Sequence, residues 1–289
     1  MKRGFSKPAR LLLGLGLILQ WSNPPAWAHG DLHERIQTLN AKLTTATNAA
    51  ALYVQRAELH REHHDWLAAA VDLDRAQLID PKLKRIDFFR ARLARDMGDA
   101  AKAQGYLDQL LTSVTNDVEA LTLRARVRAE RGDVAGAVAD YSQAIALSRE
   151  PQPEWFLARA DLLAVQGEGA EALRGLDEGV ARLGNLIVLQ TRALDLELGR
   201  TNHNGALQRI EAILRVAPRK ESWLARRGEV LQLAGREAEA RTAWLESVKA
   251  LDALPERWRN TEAMLVLRQR LDEELARSSS APIKPAPVR

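Results

Sequence analysis

Two kinds of side chain in this 289-residue sequence fall at spacings that could do chemistry: histidines near one hairpin turn, and arginines at a fixed period. His60, His63 and His64 lie together beside Asp65, and His60 and His64 are four residues apart. On a continuous helix that interval sets two imidazoles on one face, a usable start for a metal site. Removal of a leader ahead of His29 would create a second arrangement, because a free α-amino group beside an imidazole chelates copper. In neither case does spacing fix a third ligand. Solvated turn and terminus histidines are therefore the expectation, and no metal or cofactor is assigned. Copper handling through His29, or through His60, His63 and His64, is the alternative. Covalent chemistry has less support. The chain has no cysteine, which removes thiolate nucleophiles, disulfides and Cys-based metal centres. No GxSxG or HExxH motif and no phosphate-binding glycine loop occurs, and no strand leads into Gly167 and Gly169. A non-enzymatic protein is expected.

The arginines are Arg56, Arg90, Arg124, Arg159, Arg192 and Arg227. Each precedes a small residue: Ala57, Ala91, Ala125, Ala160, Ala193 and Gly228, with steps of 34, 34, 35, 33 and 35. Asp72 and Asp140 lie sixteen residues beyond Arg56 and Arg124, the span of one helical hairpin. Each pair is expected to form an ion pair that holds the hairpin in register. A row of ligand-binding arginines is the competing reading. The other four units have no Asp at that offset, which leaves their partners open.

Two further columns share the period. Ala69, Ala103, Ala137, Ala172, Ala206 and Ala240 form one. Leu73, Leu107, Tyr141, Leu176, Ile210 and Trp244, four residues later, form the other. Small residues let paired helices approach, and bulky ones fill the space between units. Gly98-Asp99, Gly132-Asp133, Gly167-Glu168 and Gly235-Arg236 divide units into two helices, with Asp65, Asp99 and Asp133 placed to cap the second. Pro81, Pro151, Pro218 and Pro255 interrupt helix between units. The fifth unit carries a polar stretch, Arg200 to Gly205, that reads as a hairpin one residue longer. Trp155, Trp223 and Trp244 are expected to pack between helices, and no alternation typical of strands occurs.

These columns resemble the tetratricopeptide repeat (TPR) family over about residues 50–254, in six units. An arginine replaces the leucine common before the first small residue. The resemblance implies an all-α, right-handed α-solenoid of six TPR-like helical hairpins with capping helices at both ends. It also implies a protein or peptide partner in a concave groove lined by the first helix of each unit. The family's groove positions lie three before, one after and four after the first small residue. They give Val54, Glu58 and Arg61; Phe88, Arg92 and Arg95; then Thr122, Arg126 and Ala129. The later units give Leu157, Asp161 and Ala164; Gln190, Leu194 and Glu197; then Ala225, Glu229 and Gln232. Arg61, Phe88, Arg92, Arg95 and Arg126 form the candidate peptide-binding set. The early half is basic and the later half acidic or apolar, which suits a partner whose acidic part lies at the N-terminal end. Val54 and Glu58 lack the Lys/Asn set of chaperone-binding carboxylate clamps.

The first 28 residues carry Lys2, Arg3, Lys7 and Arg10, an apolar run from Leu11 to Leu19, and Ala26-Trp27-Ala28. This is the layout of a secretory signal peptide cleaved after Ala28, with the periplasm as destination. The apolar run is far short of the roughly 20 residues that cross a bilayer, so no stable membrane insertion is expected after cleavage. Removing the four leader cations from 42 basic residues leaves 38 against 38 acidic residues. A net-neutral body argues against nucleic acid as a partner. Residues 29–48 read as a capping helix, with a capping box at Asp31-Leu32-His33-Glu34 and a stripe of Leu32, Ile36, Leu39 and Leu43. Residues 49–254 hold the repeats. Residues 255–277 read as a second capping helix, with Met264, Leu265, Leu267, Leu271 and Leu275 inward. Residues 278–289 read as a disordered Ser/Pro tail. Fourteen helices are expected in all.

Overall fold

The computed structural model describes residues 26–46 and 49–280, with side chains between residues 31 and 278. These residues form fifteen helices and no strand: α1 (Ala26–Leu43), α2 (Ala50–Glu62), α3 (Trp66–Ile79), α4 (Ile86–Asp96), α5 (Ala100–Ser113), α6 (Val118–Glu130), α7 (Val134–Leu147), α8 (Pro153–Val165), α9 (Gly169–Leu183), α10 (Ile187–Gly199), α11 (His203–Val216), α12 (Glu221–Leu233), α13 (Glu237–Asp252), α14 (Glu256–Arg259) and α15 (Glu262–Ser280). Among the described residues no helix is long and apolar enough to cross a membrane.

The chain divides after Pro81 into two compact units. In the first, α2 packs against α1 and α3, and Ile36 and Leu39 of α1 bury against Leu59 of α2. In the second, α4 through α13 pack in order, each against the next, and α15 lies on α13. This is an all-α solenoid, in which each hairpin supplies the apolar wall its neighbour lacks.

The repeated columns account for the packing. All six bulky residues, from Leu73 to Trp244, are buried. Each such side chain contributes about 2 kcal/mol by leaving water. Trp244 is the largest and lies across Gly228, where any Cβ would collide with the indole. The sixth unit therefore has glycine where the first four have alanine. Phe156, fully buried, presses on Gly179 in the same way.

Every hairpin turns through one residue of left-handed backbone. Gly98, Gly132, Gly167 and Gly235 have φ of 82°, 81°, 81° and 72°. His64 (61°) and Thr201 (54°) hold the same place in the first and fifth hairpins, where a Cβ is strained. The next residue caps the second helix in most units. The carboxylates of Asp65, Asp99 and Asp133 accept from the N–H of Ala68, Lys102 and Gly136 at 3.2, 2.9 and 3.0 Å. The amide oxygen of Asn202 does the same for Gly205 at 3.2 Å.

The fifth turn therefore has the form of the others, and the polar stretch does not lengthen its hairpin. The turn residue lies seven places beyond Ala57, Ala91, Ala125, Ala160 and Gly228. Seven places before Thr201 stands Leu194, not Ala193. Leu194 holds the small-residue place, and Ala193 rather than Arg192 holds the arginine place.

The ends differ from expectation as well. Asp31 lies inside α1, so the capping box does not form, and α1 stops at Leu43 rather than near residue 48. The helix expected across residues 255–277 is split into α14 and α15, and α15 continues to Ser280. Met264 and Leu271 are buried, but Leu265 is 55% exposed, one position off the inward stripe. Residues 1–25 of the expected leader, and residues 281–289 of the expected tail, lie outside the described residues.

Candidate functional site

The arginine column is a set of three-helix clamps. Arg124 on α6 donates from Nε and Nη2 to both carboxylate oxygens of Asp140 on α7, at 2.9 and 2.7 Å. Its Nη1 donates to Asp108 on α5 at 2.9 Å. Arg56 on α2 does the same with Asp72 of α3, at 2.6 Å to each oxygen, and with Asn40 of α1 at 2.6 Å. Asp72 and Asp140 are buried, and the planar guanidinium fork satisfies both oxygens at once. The Asp72 hydrogen bond holds Arg56 above the ordinary guanidinium range.

The other units use different partners. Arg159 bonds Glu178 of α9 at 2.6 Å and Ser142 of α7 at 3.4 Å. Arg227 bonds Glu211 of α11 at 3.0 Å and also Glu246 of α13. Glu178 and Glu246 lie nineteen residues on, one helical turn beyond the offset seen in the first and third units. Arg90 approaches Asp87 at 3.6 Å, and its guanidinium lies 6.0 Å from the ring centre of Tyr106, the residue at the sixteen-residue offset. The fifth unit inverts the device. Ala193 stands in the column, and Arg209 of α11, sixteen residues later, donates to Asp177 of α9, sixteen residues earlier, at 2.5 and 3.1 Å. These guanidinium groups are used to join helices, so the column is not a row of ligand-binding arginines.

The histidines do not converge. Because α2 ends at Glu62, His63 and His64 lie past the helix, and His64 occupies the left-handed turn. The helical pairing of His60 with His64 is therefore not formed. The His60 ring nitrogens lie 3.7 Å from Asp65 and 3.9 Å from Asp72, while the His64 ring meets Trp66 edge-on at 4.9 Å. Among the described residues no group of three or more metal-capable side chains is arranged to hold an ion. The His29 side chain lies outside the described residues.

Of the five groove candidates, Arg61 belongs to the first unit, where its Nε lies 3.3 Å from Glu58. The other four belong to the second unit, and the structure brings them together on α4 and α6. Phe88 is buried and meets Phe89 edge-on at 5.6 Å. The guanidinium groups of Arg85 and Arg92 lie 4.7 and 5.9 Å from its ring centre, a cation–π arrangement. Arg95 reaches across to Glu130 at the end of α6, at 2.9 and 2.6 Å, and that bond raises its pKa. Arg126 is exposed and interacts with the phenol of Tyr141. Burial pushes the Tyr141 phenol up, while Arg126 and Arg95 pull the other way. Sequence reasoning placed Tyr141 in the packing column alone. Its hydroxyl, in a column otherwise lacking phenols, was the available signal.

The corrected register also re-reads the row. With Leu194 as reference, the fifth unit's groove positions become Thr191, Asp195 and Leu198. Accordingly Gln190, Leu194 and Glu197 are buried, and Asp195 is exposed. The place after the small residue in the second unit then reads Arg92, Arg126, Asp161, Asp195 and Glu229. Asp161 is bonded by Arg192 at 2.5 Å, and Glu229 by Arg226 at 2.7 Å and by Arg270 from α15. Two of the three later acids are thus met by the chain's own arginines.

Among solved structures, the C-terminal part of a TPR repeat-containing protein from Cytophaga hutchinsonii is similar, with a TM-score of 0.62 at 15% identity, covering 80% of this chain and 94% of that one. The chain has the tetratricopeptide-repeat fold. A TPR protein from Parabacteroides merdae (TM-score 0.50, 17% identity, 88% of this chain and 94% of that one) is also similar. So is PilF of Pseudomonas aeruginosa (TM-score 0.51, 14% identity, 78% of this chain and 97% of that one). No family model and no curated protein matches the sequence. The TPR assignment therefore stands on the repeat columns and the fold together.

Proposed function

We propose that this protein is a non-enzymatic interaction scaffold that binds a protein or peptide along the first helices of its second unit. The observation that carries this reading is the patch on α4 and α6. Phe88 lies there between Arg85 and Arg92, and Arg126 stands exposed above the Tyr141 phenol. An acidic side chain of the partner would gain charge-assisted hydrogen bonds from Arg92 and Arg126, and an adjacent apolar group would rest on the aromatic edge. Recognition rests on shape and charge on a preformed surface, with no bond-making step. The acidic part of the partner lies at the α4–α6 end, since the chain already neutralises Asp161 and Glu229 farther along. The leader pattern supports action in the periplasm, and mass measurement of the exported protein tests it: cleavage after Ala28 leaves a chain beginning at His29.

Capture from periplasmic extract, followed by mass spectrometry, identifies the partner. Reversal of charge at Arg92 and Arg126 (Arg92→Glu with Arg126→Glu) should abolish its capture while helicity stays unchanged. Retained capture by that variant would show that the partner binds elsewhere.

A further inference from the structure

Asp195 enters the groove only in the corrected register of the fifth unit, and it stands apart from the other acids of its row. The place after the small residue reads Arg92, Arg126, Asp161, Asp195 and Glu229 along the second unit. Asp161 and Glu229 are each bonded by an arginine of the chain. Asp195 is exposed, and among the described residues no cation lies within ion-pair distance of it. The reason lies on α12. Arg192, two places before Leu194, reaches from α10 back to Asp161 on α8 at 2.5 Å. Arg226 holds the same place on α12, two before Gly228. It pairs with Glu229 of its own helix at 2.7 Å instead of reaching back to Asp195. The row therefore presents cations on α4 and α6, and on α10 one carboxylate with no counter-ion.

We propose that Asp195 selects a basic side chain: the peptide in the groove carries acids at its α4–α6 part and a lysine or arginine about six residues away. The inference rests on the groove reading and adds a second charge to it. At roughly 10 Å between packed helices, the two steps from α6 to α10 cover on the order of 20 Å. An extended chain rises about 3.4 Å per residue, so it covers that distance in about six residues. The surroundings of Asp195 suit a long cationic side chain. Leu198, three residues on, shares its face of α10 and is half-buried. The methylene stem of a lysine or arginine would lie against Leu198 while the charge at its tip meets the carboxylate. A divalent cation would need several oxygen ligands, and among the described residues no three metal-capable side chains converge. Opposite charges at a fixed interval also give the peptide one register, since a slip of either end sets like charges together.

Selection of displayed random dodecapeptides on the protein as the cell processes it tests the proposal. The wild type should enrich peptides with an acidic cluster and a lysine or arginine about six residues from it. One such peptide, resynthesised with a fluorophore, should bind Asp195→Asn about tenfold more weakly by anisotropy. Helicity should not change, since the Asp195 side chain is already solvated. Exchange of the peptide's base for glutamate should weaken binding to the wild type and restore binding to Asp195→Lys. Acidic peptides with no base at a fixed interval, equal binding by Asp195→Asn, or a charge exchange without recovery would each overturn the proposal and leave the groove reading standing. Peptides without acids that still bind the Arg92→Glu, Arg126→Glu variant, or no enrichment at all, would overturn the groove reading and this inference with it.

Discussion

The third and fifth hairpins solve one problem with opposite chemistry. In the third, the cation stands on the first helix: Arg124 reaches back to Asp108 and forward to Asp140. In the fifth, the first helix contributes only Ala193 at that place, and the bond passes over it from Arg209 to Asp177. The turns differ in parallel, with Gly132 in one and Thr201 in the other, at the same left-handed backbone. What both preserve is a charge-paired join at a three-helix junction and a fixed path for the turn. Which residue carries the charge is free to change. The architecture constrains a place and its complement, not an amino acid.

The sharpest way to break the comparison is to remove each cation in turn. Arg124→Ala leaves the buried Asp140 with Arg128 at 2.9 Å, and leaves Asp108 with the same Arg128 at 3.8 Å. A buried carboxylate stripped of its main partner destabilises strongly, by about 3 kcal/mol. Denaturant unfolding followed by circular dichroism measures it. A loss below about 1 kcal/mol would mean that Arg128 alone suffices and the clamp is redundant.

This contrast also explains what could be read before the structure. The period and the packing columns were legible, because burial requires the same residue sizes at the same places in every unit. The Arg56–Asp72 and Arg124–Asp140 pairs were legible, because one offset joins two facing helices. The pairs to Glu178 and Glu246 were not, since a longer glutamate one turn farther along reaches the same junction. The fifth unit was misread by one residue because Arg192-Ala193 imitates the column while Leu194 holds its place. Only the backbone of Thr201, a left-handed position that sequence marks by glycine, settles that register. Of the groove candidates, the sequence placed Phe88, Arg92, Arg95 and Arg126 together. Tyr141 was hidden because its ring does the work of a leucine.

A second prediction concerns volume. The place held by Leu194 in the fifth unit is held by Gly228 in the sixth, and the facing residues are Ile210 and Trp244. Gly228→Ala should cost about 2 kcal/mol through collision with the indole. Adding Trp244→Leu should recover part of that loss, which additive effects would not give. Purely additive unfolding free energies would show that the two places do not share one space.

The turns give a change of opposite sign. Thr201 has φ 54° in a position where four sister turns use glycine. A β-branched residue is strained there, so Thr201→Gly should raise stability by about 1 kcal/mol. Its mirror, Gly132→Thr, should lose a similar amount in the third hairpin. Thermal unfolding of the two variants side by side checks both signs, and a destabilised Thr201→Gly would mean that the threonine contributes a contact worth more than its strain.

The smallest effect belongs to the inverted clamp itself. Asp177 is half-exposed, its side chain 52% accessible against 3% for Asp140. Water therefore takes over at Asp177 when Arg209 is lost, and the buried Glu197, 3.8 Å from Arg209, keeps its 2.7 Å hydrogen bond from Asn202, so Arg209→Ala should cost only about 0.5 kcal/mol. Returning the cation to the column, with Ala193→Arg beside Arg209→Ala, should not rescue that loss. Ala193 is fully buried in the cluster of Phe156, Leu176 and Leu189, and an arginine there would need space that those side chains already fill. The third and fifth hairpins are thus alternatives that cannot be interconverted one residue at a time: moving the charge requires moving the small residue with it.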